Sequence, residues 1–120
     1  MKLYHYPNCS TCKKARTFLT QANISFDLIN LAEQAPSVAE LQTMLEAYEG
    51  NIKKLFNVSG VQYRELDMKS RLASMSNEQA LTLLSENGLL VKRPFLLLDK
   101  PSKPKGMVGF KEPEWMDILK

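Results

Sequence analysis

At 120 residues the chain is long enough for one packed core and too short for two. With 44% hydrophobic and 24% charged residues it has the make-up of an ordinary globule, which excludes a disordered, collagenous or disulfide-dense secreted scaffold. The net charge of +3 is carried as scattered pairs (Lys13-Lys14, Lys53-Lys54, Lys92-Arg93) and not as a basic run, so neither direct nucleic-acid binding nor docking on an anionic membrane is expected.

Lys2 to Tyr6 reads as a first strand, ended by the turn signal Pro7-Asn8. Ala15, Phe18, Leu19 and Ala22 recur at i, i+3, i+4 and i+7, which predicts a helix starting near Ser10, a good N-cap residue. Ile24, Phe26 and Leu28 alternate with polar residues as a second strand. The stretch from roughly 36 to 88 reads as helical. It holds two capping boxes, Ser37 with Glu40 and Ser76 with Gln79, each followed by an apolar stripe. Between them lie a short helix at Ile52, Leu55 and Phe56 and another from Arg64 to Leu72, and Asn87-Gly88 ends the block. A buried-type strand from Phe95 to Leu98 follows Arg93-Pro94, then a turn from Asp99 to Pro104 and a last strand from Met107 to Phe110. Glu112-Pro113-Glu114 starts a final helix with Trp115, Ile118 and Leu119 turned inward.

The order βαβ, helical block, ββα predicts a single α/β domain over residues 1–120. A parallel strand pair with a crossover helix and a later antiparallel hairpin is the thioredoxin-like (glutaredoxin-like) arrangement, here with the helical block inserted. The N-terminus lacks the apolar core of a secretory leader, and no stretch approaches the ~18 apolar residues of a membrane span. A cytoplasmic location away from membranes is therefore expected, where thiols are kept reduced. A structural disulfide is then a poor reason for the only two cysteines.

Those cysteines are spaced Cys9-Ser10-Thr11-Cys12, between the first strand and the first helix. That placement is the mark of a thioredoxin-like redox motif. A sulfur at a helix N-terminus faces unpaired N–H groups and the positive end of the helix, so its thiolate is stabilised. Cys9, before the helix, is expected to be the attacking thiol, and Cys12, one turn in, the shielded thiol that resolves a mixed disulfide. Metal binding is not expected, because two cysteines and the single His5 fall short of the four ligands of a zinc site. His5 itself reads as a packed strand residue, and no cofactor is called for.

Tyr4 to Ala15, then Tyr63-Arg64-Glu65-Leu66, Leu90-Val91-Lys92-Arg93-Pro94 and Val108-Gly109-Phe110 together resemble the arsenate reductase/Spx family of thioredoxin-like proteins. The resemblance covers essentially the whole chain. It implies a cis-proline at Pro94 beside the active site, a nucleophile at Cys9, and anion-gripping arginines at Arg64 and Arg93, since guanidinium forks bind tetrahedral oxyanions. It also implies glutathione, glutaredoxin or thioredoxin as the reductant. Two positions depart from the arsenate reductase pattern: Phe110, with Lys111 beside it, replaces a third arginine, and Tyr6 replaces an Asn. Cys12 is absent from those reductases and present in Spx-type regulators, which bind RNA polymerase and use the pair as a disulfide switch. The reading is a thiol–disulfide oxidoreductase acting on client protein disulfides, with a Spx-like regulator or a glutaredoxin-coupled arsenate reductase as the alternatives.

Overall fold

The computed structural model describes residues 1–99 and 104–119. The core of the turn expected from Asp99 to Pro104 lies outside the described residues. In chain order the elements are β1 (Lys2–His5), α1 (Ser10–Gln21), β2 (Asp27–Asn30), α2 (Val38–Ala47), α3 (Val61–Glu65), α4 (Met68–Arg71), α5 (Asn77–Glu86), β3 (Phe95–Leu97), β4 (Gly106–Val108) and α6 (Glu112–Leu119). Short 3-10 turns cover Ile52–Leu55, Leu72–Ser74 and Gly88–Leu90. The strands form one sheet in the order β2-β1-β3-β4, with β1 parallel to β2 and the other pairs antiparallel.

Alternation along the central strands divides the apolar residues between two faces. Leu3 of β1 and Leu96 of β3 join Ala15, Phe18 and Leu19 of α1 and Trp115 of α6 on one side. Tyr4 and Phe95, their neighbours in sequence, point the other way into a core built with α2, α4 and α5. The order βαβ, helices, ββα and the mixed α/β thioredoxin-like fold are as the sequence implies.

Several element bounds differ from the sequence reading, each for a tertiary reason. The second strand is Asp27–Asn30, three residues later than the Ile24–Leu28 alternation. The parallel register places Leu28 opposite Leu3, so pairing begins at Lys2 and Asp27. Ile24 and Phe26 pack on the α1 side before the ladder starts, and Leu28 is left 45% exposed on an edge strand. The expected helix from Arg64 to Leu72 is broken at Asp67, whose left-handed φ of 51° separates α3 from α4. The last strand stops at Val108, because Gly109 turns the chain away at φ 72°. The first and third strands each end one residue earlier than read, at His5 and Leu97.

Both capping boxes form, and the first also ties the sheet to the helical block. The Glu40 carboxylate accepts the Ser37 N–H at 3.0 Å, the Tyr4 hydroxyl at 2.7 Å and the Lys2 ammonium at 2.9 Å. Burial pushes the Glu40 carboxyl up, but these donors outweigh it and leave it below the ordinary carboxylate value. A carboxylate held low in the folded state contributes stability that is complete above its unfolded pKa and is lost as pH falls through the folded one. Glu40→Ala strands the buried Tyr4 hydroxyl and is expected to cost about 1–3 kcal/mol near neutrality. Urea titrations of both proteins check this. The gap between them should shrink on acidification, and a gap independent of pH would refute the ionic part of the argument.

Candidate active site

From the end of β1 the chain turns through Tyr6-Pro7-Asn8, where the Cys9 N–H bonds the Tyr6 carbonyl at 3.0 Å. Ser10, the expected cap, is instead the first helical residue. The cap is Cys9, with extended backbone angles of φ −95° and ψ 113°. Its Sγ accepts the Cys12 N–H at 3.3 Å, the bond a hydroxyl oxygen makes at an ordinary helix start. Cys9 is part-exposed, whereas Cys12 is fully buried at 0%. Both are free thiols.

One helical turn sets the two sulfurs in opposite environments. Burial pushes the Cys9 thiol up, but the Cys12 thiol, the Cys12 N–H and the positive charge of Arg93 outweigh it and hold Cys9 below the ordinary thiol value. The Cys12 thiol is pushed up to about 12, first by burial and then by its bond to Cys9.

Arg93 reaches this site through the sheet. Pairing of Tyr4 with Phe95 lays the residues before β3 beside those after β1. The Arg93 guanidinium lies 4.9 Å from the centroid of the Tyr6 ring, a cation–π contact that holds the side chain in place. The Arg93–Pro94 bond is cis and Pro94 is buried. The Pro94 carbonyl accepts the Gly109 N–H at 2.8 Å, and the Trp115 indole donates to the Gly109 carbonyl at 3.2 Å. This fixes the β4–α6 loop as the far wall.

Residues 4–118 match the ArsC family. The chain belongs to the ArsC family. It is 40% identical to the uncharacterised protein YusI of Bacillus subtilis, over 96% of this chain and 94% of YusI. It is 28% identical to the global transcriptional regulator Spx of Enterococcus faecalis, over 95% of this chain and 82% of the regulator. Among solved structures it is similar to that of a possible arsenate reductase from Streptococcus mutans, with a TM-score of 0.84 and 33% identity over 97% of this chain and 96% of that one. Membership in the ArsC family, with these relatives, supports a thiol-based redox function. Among the described residues no helix is long and apolar enough to cross a membrane.

Seen as an ArsC-family site, the structure brings Cys9, Cys12, Arg93 and Pro94 together, with Ser10 and Thr11 forming the turn between the cysteines. Arg64 stands exposed on α3 and, among the described residues, makes no side-chain hydrogen bond or ion pair. In place of the third arginine, Phe110 packs its ring at right angles to Trp115, centroids 4.9 Å apart, and tilted against Phe18 at 5.7 Å. His5 is buried as read, its Nδ1 without a hydrogen-bond partner among the described residues. Burial and then the charge of Arg16 hold it below the ordinary histidine value.

Sequence reasoning missed Tyr6 as the platform for Arg93. It also missed Lys54 and Lys92, which line a cavity next to Arg93 and Thr11. The dibasic pairs were visible, but only the tertiary bridge of Phe56 with Val91 brings them together.

Only the thiolate is alkylated, so the iodoacetamide rate against pH reports the pKa of Cys9. Its midpoint is expected below that of a free cysteine, with Cys9 labelled before Cys12 at neutral pH. Removing the Arg93 charge by Arg93→Gln destabilises the thiolate and should move the midpoint upward. A midpoint unmoved by that substitution would show that Arg93 does not act on the sulfur.

Proposed function

We propose that the chain is a thiol–disulfide oxidoreductase in which Cys9 attacks and Cys12 resolves. The observation that carries this reading is the asymmetry of the pair. Cys9 caps the helix with its sulfur part-exposed and stabilised as the thiolate, while Cys12 is buried one turn away with its proton held.

The Cys9 thiolate attacks one sulfur of a substrate disulfide, forming a Cys9–S–S–R bond and expelling the other half as a thiolate, which takes a proton from solvent. Cys12 then loses its proton and attacks the Cys9 sulfur. A Cys9–Cys12 disulfide forms and the second half leaves as a thiol. Two electrons have passed from the dithiol to the substrate. A reduced thiol such as glutathione, or the dithiol of glutaredoxin or thioredoxin, returns them by the reverse steps. Client protein disulfides are the substrates this reading assigns, and the cytoplasm is the compartment it fits.

The similarity to Spx supports a second reading, in which the same pair is an oxidant switch on a regulator that docks on RNA polymerase. Cys12→Ser leaves no internal thiol to release a partner. After oxidant exposure it is expected to accumulate long-lived mixed disulfides at Cys9, while Cys9→Ser accumulates few. Mass spectrometry of the trapped species decides between the readings: varied clients mark turnover, and polymerase subunits alone mark the switch. If both variants behave like wild type, the pair is structural.

Arsenate reduction with glutathione and glutaredoxin is expected to be weak. Loss of one charge-assisted hydrogen bond to the oxyanion costs about 1.5–3 kcal/mol, or about one to two decades in affinity. Steady-state rates over a range of arsenate concentrations check this. Robust turnover at micromolar arsenate would overturn it and point to Lys111 as the substitute cation.

A further inference from the structure

Three influences favour the Cys9 thiolate against its burial: the Cys12 thiol, the Cys12 N–H and the charge of Arg93. The first two come from the first turn of α1, so the helix start fixes them with the backbone. Arg93 arrives from the other end of the chain, on a long side chain that is free to rotate unless something holds it. Its effect on the sulfur depends on that hold.

The structure supplies one. The Arg93 guanidinium lies over the Tyr6 ring, 4.9 Å from its centroid. Among the described residues no carboxylate pairs with Arg93. The ring is itself fixed relative to the sulfur. The Tyr6 carbonyl accepts the Cys9 N–H at 3.0 Å, and the His5 carbonyl just before it takes the Leu31 N–H at 2.8 Å at the end of the parallel pair. Tyr6 and Arg93 are both half-buried, where a cation–π contact is stronger than on an open surface. The Tyr6 hydroxyl makes no hydrogen bond among the described residues, so the face of the ring is the part of this side chain with a partner.

We propose that Tyr6 is a positioning residue for Cys9, its ring holding the Arg93 guanidinium where it favours the thiolate. The inference rests on the reading of Cys9 as the attacking thiol and adds a side chain that acts on it through another. A lower thiol pKa gives more thiolate for attack and a better leaving group on the return. In a Cys9 mixed disulfide the guanidinium has lost its anion, but the stack does not depend on that charge. The ring therefore keeps Arg93 at hand for the step in which a reductant thiolate attacks the partner's sulfur and expels Cys9 as the thiolate.

A double-variant cycle tests this. Iodoacetamide labelling of Cys9 is followed against pH by mass spectrometry in the wild type, Tyr6→Leu, Tyr6→Phe, Arg93→Gln and the Tyr6→Leu/Arg93→Gln pair. Loss of the stack should cut the share of placed guanidinium by roughly two- to tenfold, so Tyr6→Leu should raise the labelling midpoint by about half or more of the Arg93→Gln shift. In the Arg93→Gln background the same substitution should move the midpoint hardly at all, because no guanidinium remains to be held. Tyr6→Phe keeps the ring and should keep the wild-type midpoint. A ring that served folding alone would alter stability and leave this coupling at zero.

A midpoint unmoved by Tyr6→Leu, or equal shifts with and without Arg93, overturns the proposal. A second measurement needs no variant. In the wild type, the Arg93 side-chain proton signals should be displaced upfield by the Tyr6 ring current, and signals at ordinary arginine positions overturn the proposal as well. Trapping of mixed disulfides by Cys12→Ser reads the attacking-thiol assignment separately. Trapping with a null cycle removes Tyr6 and leaves that assignment standing. A coupled cycle without trapping supports Tyr6 as the holder of Arg93 and sinks the oxidoreductase reading.

Discussion

The antiparallel pairing of β1 with β3 is the constraint on which the site depends. Tyr4 stands opposite Phe95 and Leu3 opposite Leu96, so each strand sends one residue to each core. A slip of one residue would exchange Phe95 and Leu96 between the two faces, overfilling one core and leaving a void in the other. The cores thus lock the register. The register in turn lays Arg93 and Pro94 beside the chain that leaves β1 for Cys9. Packing energy far from the sulfur fixes where the stabilising charge stands.

At the helix start, a short-range electrostatic arrangement sets the two thiols apart, Cys9 held low and Cys12 held high. The Cys12 thiol is held up by burial and by the neighbouring Cys9 sulfur, through both a hydrogen bond and its negative charge. Once Cys9 is tied up in a mixed disulfide its charge is gone, and two of the influences that hold the Cys12 proton go with it. In the proposed exchange, Cys12 would thus be freed to act as the resolving thiol when a mixed disulfide has formed. Burial remains, so Cys12 stays a poor target for outside reagents.

The helical block does more than cover the sheet. Glu40 joins α2 to β1 through Tyr4 and Lys2. Tyr48, just past α2, takes the Val108 N–H at 2.9 Å and so satisfies a donor on β4, at the edge of the sheet. The Phe56–Val91 bridge carries Lys54 to the rim of the cavity beside Arg93. The block thereby braces both outer parts of the sheet and contributes directly to the charged wall of the cavity that Thr11 and Arg93 share.

The sequence by itself determined what depends on near neighbours. The period of α1, both capping boxes and the Cys9–Cys12 spacing are set by residues within one or two turns of each other, so the chain order of elements and the placement of the cysteine pair at the start of α1 were legible. What lies across the fold was not. The start of β2 follows from its partner strand, and the break between α3 and α4 lies at the left-handed backbone of Asp67. The identity of the helix cap was decided by the turn out of β1, which carries Cys9 and not Ser10 into the extended conformation. The stacking of Arg93 on Tyr6 joins residues distant along the chain, and the cavity beside Arg93 draws lysines from three segments. Local propensity has no access to such meetings, because they exist only once the two cores have fixed the register of the central strands.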